Sequence, residues 1–493
     1  MEFGPAVVAA LAAYIAVLAF LGIRARAARA SESLADFYLA GRGLGGVVLL
    51  FTLYATQYSG NTLVGYPGEA YRVGFPWVMS VGFMLAIVVV YLVMAPRLRL
   101  ASERHRFVTP ADWLDHRFGH PGLTRITNLV MAAAIANYLL AQLMAMGHVV
   151  AGLSDGAIPY AAGVLVLTAA ILGYELLGGL RAVAWTDCLQ GILLAIGLFG
   201  LLAATVFSGE SVGAATAWVL DNEPSKGFRP DATMQATWAS TLLLIGFSGA
   251  VYPQAIQRIF AARSGASLRK ALSVLAFLPF LTTLPVFLVG ILALPRLSGL
   301  SGVAADQVLP ALLRGWASES EWMFWMCILT VVGVVAAIMS TADSVLLTLS
   351  SMLAKDFVAP VLRRRHGGVV AEARITRIGK GFSLAIMGVL VAIALTPRIS
   401  LWGLLELKME LLVQAAPVFV LGLTWPRLSA KAALAGVICG TLLAAGLTLA
   451  GYGKIGGVHA GLLGAMLNAA VAVAGSLALR PRGDWTDPGG KRR

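Results

Sequence analysis

Windows of about 20 apolar residues, each long enough to cross a bilayer, recur along almost all of the 493 residues with short polar stretches between them. A chain built this way cannot hide its apolar surface in one aqueous core. Charge content agrees, since 12% of residues are charged against about 25% in an ordinary soluble domain. The fold class is an all-α polytopic membrane protein. Thirteen spans are predicted, at roughly 6–23, 47–66, 75–95, 126–152, 160–177, 183–208, 236–257, 271–295, 322–353, 381–397, 399–424, 432–451 and 459–479. No large soluble domain remains, so residues 1–493 form one membrane unit, with an acidic, turn-rich external loop at roughly 209–235. The 54 glycines fit closely approaching helices, because small residues let backbones pack in a membrane.

A formal charge of +13 would suggest nucleic acid if it formed a soluble face, but the basic residues lie between spans. Topology accounts for them, and no nucleic-acid partner is expected. With the N-terminus outside, 29 of the 37 Lys and Arg fall in internal segments, 7 in external ones, and Lys408 inside a span. That bias places the chain in the cytoplasmic (inner) cell membrane with a cytoplasmic tail, residues 480–493. The first apolar run follows Glu2 and precedes Arg24, Arg26 and Arg29, the reverse of a secretory leader, so it reads as a retained helix. Cys188, Cys327 and Cys439 lie in spans without close Cys/His spacing, and neither disulfide nor zinc is expected. His-Glu-x-x-His, nucleophile-elbow and Gly-Lys phosphate motifs are absent from the sequence, which argues against an enzyme and for no organic cofactor.

Two spans carry polar Ser-Gly pairs at membrane depth. Span 2 reads Tyr54-Ala55-Thr56-Gln57-Tyr58-Ser59-Gly60-Asn61 before Pro67-Gly68, and span 7 reads Phe247-Ser248-Gly249-Ala250-Val251-Tyr252-Pro253-Gln254. Unpaired backbone is tolerated there only where it lines a cavity or an ion. Their five-span separation predicts an inverted repeat, residues 47–208 and 236–424, each opening on a discontinuous helix, with 6–23 and 432–479 outside it. Simple Gly/Pro kinks in packing helices are the alternative.

Span 6 opens on Gly178-Gly179-Leu180-Arg181-Ala182-Val183-Ala184-Trp185-Thr186-Asp187-Cys188-Leu189-Gln190, placing Asp187 about one turn into an apolar helix, where a carboxylate is costly unless paired. With Phe37-Tyr38-Leu39-Ala40-Gly41-Arg42, Gln257-Arg258 and Met339-Ser340-Thr341-Ala342-Asp343-Ser344, these motifs resemble the sodium/solute symporter family over nearly the whole chain. The resemblance implies a LeuT-like fold, sodium as the coupling ion, and a small organic solute carried by alternating access.

Span 9 sets Ala337, Ser340 and Thr341 within about one turn, so a carbonyl and two hydroxyls converge, an oxygen set suited to a weakly held hard cation. Back-bonding of both hydroxyls within the helix is the structural alternative. The family pattern adds the carbonyls of Ala55 and Tyr58 to complete a five-oxygen sodium site. Asp187, Ser340, Asp343 and Ser344 resemble positions of a second sodium in some members, although those members carry Ser where this chain has Asp343. A second sodium, a proton, a salt bridge or a gating role for Asp343 all remain open.

Substrate candidates are the polar residues Gln57, Asn61, Asn137, Tyr138, Gln142, Ser248, Tyr252 and Gln254. Asn137 and Tyr138 also read as interhelical glue. Gln57 stands where proline-type members carry an acid, and Gly65-Tyr66-Pro67-Gly68-Glu69-Ala70-Tyr71 is most similar to pantothenate- and monocarboxylate-type members, implying a carboxylate-bearing solute. In span 11, Glu406 and Glu410 share a helical face, and with Lys408 they read as a substrate contact or an external gate. Arg363-Arg364-Arg365 reads as a topology anchor. A proton-coupled carrier relying on Asp187 and Asp343, and a transporter-like membrane sensor, are the rival functions; oligomeric state is left open.

Overall fold

The computed structural model describes residues 2–28, 33–59, 61–154, 156–207, 211–227, 230–297, 299–365, 368, 370–397 and 400–479, with the side chains of Asn61, residues 204–207 and Val303 outside that description. The predicted tail lies outside the described residues. Helices dominate: α1 (Phe3–Ala27), α2 (Gly46–Gln57), α3 (Tyr66–Val73), α4 (Phe83–His105), α5 (Pro121–Leu153), α6 (Tyr160–Gly178), α7 (Leu180–Phe207), α8 (Ala232–Ala250), α9 (Pro253–Ala261), α10 (Gly265–Leu292), α11 (Glu321–Ser351), α12 (Glu372–Ala394), α13 (Leu401–Leu412), α14 (Ala416–Thr424), α15 (Ala430–Leu449) and α16 (Ala460–Leu479). Among the described residues ten helices are long and apolar enough to cross a membrane, and the bent pair α8–α9 makes an eleventh.

The remaining two predicted spans are broken rather than continuous. Residues 46–73 divide into α2, a π-helical turn over Asn61–Gly65, and α3; residues 401–424 divide at Val413–Ala415. Pro67 does not end span 2 as expected. It sits in the first turn of α3, where its missing N–H has no helical partner to lose. Pro253 starts α9 in the same way after a 48° bend. The predicted loop 209–235 also contains helices, Val212–Asn222 and Pro224–Gly227, and a two-residue hairpin, Lys454–Ile455 with Val458–His459, joins α15 to α16.

The most enclosed membrane helix is α11, buried nearly throughout from Val331 to Ser351. It packs along α7, and glycine sets the approach: a Cβ on Gly333 would lie 2.5 Å from the Leu193 carbonyl oxygen, closer than any side chain permits. Close backbone contact of this kind is how helices associate where lipid removes the hydrophobic drive. Both helix breaks lie against this buried core, with Tyr58 and Tyr252 at the break points 1% and 2% exposed.

Candidate functional site

Helix α2 stops at Gln57 because Tyr58 leaves helical geometry (φ −96°, ψ 116°). The Ser59 amide, which would otherwise close the next turn onto Ala55, points instead to Thr62 Oγ1 at 3.4 Å. That frees the Ala55 carbonyl, and α11 supplies its neighbours. Ser340 Oγ lies 3.5 Å from the Ala55 oxygen and 3.0 Å from Ala337 O; Thr341 Oγ1 lies 3.2 and 3.1 Å from the same two. The back-bonding expected of these hydroxyls is present, yet it leaves both facing the broken helix. An oxygen cage with bonds of about 2.4 Å, as around calcium, has edges of roughly 3.4 Å, so these spacings suit a sodium ion, which is of similar size. All four residues are fully buried. Tyr58, the fifth predicted member, adjoins the group as the residue at the break.

One turn along α11 the chemistry changes. Helix α7 begins at Leu180, earlier than predicted, so Asp187 lies about two turns inside it rather than one. Arg258 Nη2 meets Asp187 Oδ2 at 3.2 Å, and both side chains are fully buried. Thr52 joins them: Arg258 Nε donates to its hydroxyl at 2.9 Å, and that hydroxyl donates to Asp187. Arg258 also donates to Ser344 Oγ and, at 3.1 Å, to the Gln254 carbonyl. Asp343 accepts from Tyr174 at 2.5 Å and from Ser344 at 3.2 Å. Asp187 is thus salt-bridged to Arg258. Sequence reading counted Arg258 as an internal-loop cation because hydropathy ended span 7 at 257, whereas α9 runs on to Ala261.

Between the two breaks lies a cavity of about 30 Å³, room for about two waters. Gln57, Tyr138 and Tyr252 line it, together with Tyr58, Ser59, Thr62 and Lys408. The side chain of Asn61 lies outside the described residues. Asn137 instead donates to Leu404 O at 2.6 Å, an interhelical bond. Ser248 is turned onto Leu244 O at 2.6 Å and the Met409 sulfur at 2.8 Å, and Gln142 and Gln254 are buried off the cavity wall. Tyr66 and Phe83 of the lining pack with Trp77 and Trp402 in a ring cluster at centroid distances of 4.6–6.4 Å.

Span 11's charges divide by face. Glu406 pairs with Lys454 at 2.9 Å and His459 at 3.2 Å, and Glu410 accepts from Thr448 at 2.8 Å. Lys408 points the other way, into the cavity. The pattern of charges at 406, 408 and 410 was the available signal, since residues two apart on a helix project to nearly opposite sides.

A bundle with two broken helices, a neutral oxygen cluster and a small polar cavity enclosed between the breaks has the features of a secondary transporter. The model of the Sodium:solute symporter family matches residues 37–440, and the chain belongs to that family. It is 26% identical to the sodium/pantothenate symporter of Escherichia coli over 89% of each chain, and 27% identical to the high-affinity proline transporter of Bacillus subtilis over 88% of this chain and 92% of that one. Among solved structures, a sodium-coupled sialic acid symporter in a substrate-bound outward-open state shares the fold, with a TM-score of 0.78 and 18% identity over 97% of this chain and 99% of the other. The protein is thus a multi-pass, sodium-coupled secondary transporter of a small solute, and its curated relatives are transporters rather than enzymes.

Proposed function

We propose that one sodium ion binds the oxygens of Ala55, Tyr58, Ala337, Ser340 and Thr341 and is carried inward with a small organic solute held in the adjoining cavity. The observation carrying this reading is the Ala55 carbonyl, released by the break after α2 and met by both α11 hydroxyls. With no fixed anion in the set, an ion is held weakly enough to leave on the low-sodium side. In this reading Tyr58 belongs to both sites, as the residue at which α2 breaks and as part of the cavity lining. Sodium that fixes the break therefore fixes one wall of the solute site, and coupling is a difference in affinity between conformations.

In this reading residues 46–73 and 401–424 each count as one span, giving thirteen. The two five-span repeats are 47–208 and 236–424, flanked by 6–23 and 432–479, with the N-terminus outside the cell membrane and the tail inside. Asp187, held by Arg258, and Asp343 and Ser344 form a charged hinge rather than a second sodium site. Proteoliposome uptake of a solute panel under an imposed sodium gradient, against an equal proton gradient, tests the coupling. Sodium is expected to drive accumulation; accumulation driven by protons alone would move coupling to Asp187 and Asp343.

A further inference from the structure

Lys408 is fully buried at membrane depth, and its surroundings do not neutralise it. The acidic residues on its own helix are turned away and engaged, Glu406 by Lys454 and His459 and Glu410 by Thr448. Among the described residues no carboxylate lies within ion-pair distance of its ammonium. An ammonium has three donors, and here one is used, to the Tyr252 hydroxyl. Ring faces flank the rest, with Nζ 3.4 Å from the centre of Tyr138 and 4.3 Å from that of Tyr252. Aromatic faces attract a cation but supply no counter-charge. A cation inside a membrane protein, aimed at a cavity and lacking an anion, marks a place where an anion arrives.

The rest of the cavity narrows the ligand. Its described lining contains no Asp or Glu, so a substrate ammonium would find no partner and would meet Lys408 instead. Besides Lys408 the lining offers the Gln57 amide and the hydroxyls of Ser59, Thr62, Ser80, Thr283 and several tyrosines, interspersed with apolar side chains such as Ile87, Ile245 and Leu405. Resting on the sodium-coupled reading above, we infer that the solute is a small organic monocarboxylate without a cationic group, its carboxylate bound by Lys408 and its body lying between hydroxyls and apolar side chains. A charge-assisted contact of this kind is stronger than a neutral hydrogen bond, and sodium and carboxylate together enter as a neutral pair.

The test is thermal melting of the purified protein in sodium with matched probes: butyrate against butyramide, lactate against lactamide, and pantothenate against pantothenol. These are applied to the wild type, Lys408→Met and Lys408→Arg. At least one acid is expected to stabilise the wild type at a concentration tenfold or more below its neutral twin. That preference should disappear in Lys408→Met and survive in part in Lys408→Arg. Stabilisation by sodium without solute, measured in each variant, reports folding and the ion site separately, so failure of the sodium reading is seen apart from failure of the carboxylate. Acids acting no better than their neutral twins in the wild type would overturn the inference, as would an acid preference retained in Lys408→Met. The wild-type comparison and Lys408→Arg decide the matter if the methionine variant does not fold.

Discussion

On α11, Ser340 and Thr341 face the carbonyls of Ala55 and Ala337 with no charged group among the four, whereas one turn further on Ser344, bonded to Asp343, accepts from Arg258, which pairs with Asp187. Both clusters are fully buried. The first offers only oxygen dipoles, so a monovalent ion can enter and leave without stranding a charge. The second carries its own cation, and an added sodium there would compete with a guanidinium already bonded to Thr52, Asp187 and Ser344. One helix thus carries a neutral oxygen cluster beside a charged cluster that already holds its own cation.

The strongest way to break this contrast is Arg258→Met. It leaves Asp187 buried and unpaired, and loss of one partner from a buried pair costs about 3–5 kcal/mol. Melting temperature and monodisperse yield should fall together, and Arg258→Met combined with Asp187→Leu should recover most of the loss. A double variant no better than the single would show that the two charges do not neutralise each other.

A smaller effect separates the clusters mechanically. A methyl at Gly333 would press on the Leu193 carbonyl and on Gly197, moving α7 from α11. Overpacking of this kind costs about 1–3 kcal/mol. Because Asp187 rides on α7 while Ala55 is on α2, Gly333→Ala should disturb the charged cluster more than the neutral one. Melting in potassium should fall, with the further gain on adding sodium preserved; a variant that loses only the sodium gain would reverse the assignment.

The smallest effect uses an Asp–Arg pair outside the membrane spans as a reference. Asp306, in the segment between α10 and α11, lies 3.5 Å from Arg72 and accepts from the Leu401 amide at 3.1 Å. Burial nevertheless pushes its carboxyl up to about 6, with the Leu401 amide and Arg72 opposing that rise. The folded state therefore holds this proton more tightly than the unfolded chain, where the value is about 3.9. Its contribution to stability is present at low pH and is lost as pH rises from about 4 through 6. Wild-type melting should show this decline across that window, and Asp306→Asn should flatten it.

Much of this architecture was legible because membrane physics writes it in long apolar windows. The breaks were legible too, since Ser-Gly pairs and Pro67 or Pro253 have no reason to sit at membrane depth in an ordinary helix. What sequence missed shares one cause. Hydropathy ends a span at a charge, so Arg258 was assigned to a loop although it is buried inside the bundle, whereas Lys408, read inside span 11 as a substrate contact or an external gate, lines the cavity. Partners across the bundle, such as Tyr174 for Asp343 and Leu404 for Asn137, are separated by well over a hundred residues and leave no local signature. Asn137 and Ser248 looked available for solute, yet each is used by a neighbouring helix or by its own turn.

The central claim is that neutral oxygens between α2 and α11 hold sodium. It is tested most directly by melting purified wild type and the Ser340→Ala, Thr341→Ala double variant in sodium and in potassium at equal ionic strength. A ligand at a hundredfold excess over its Kd stabilises the folded state by about 2.7 kcal/mol. The wild type should gain on that scale in sodium alone, and the double variant should melt alike in both salts. An unchanged sodium gain in the double variant would contradict the account.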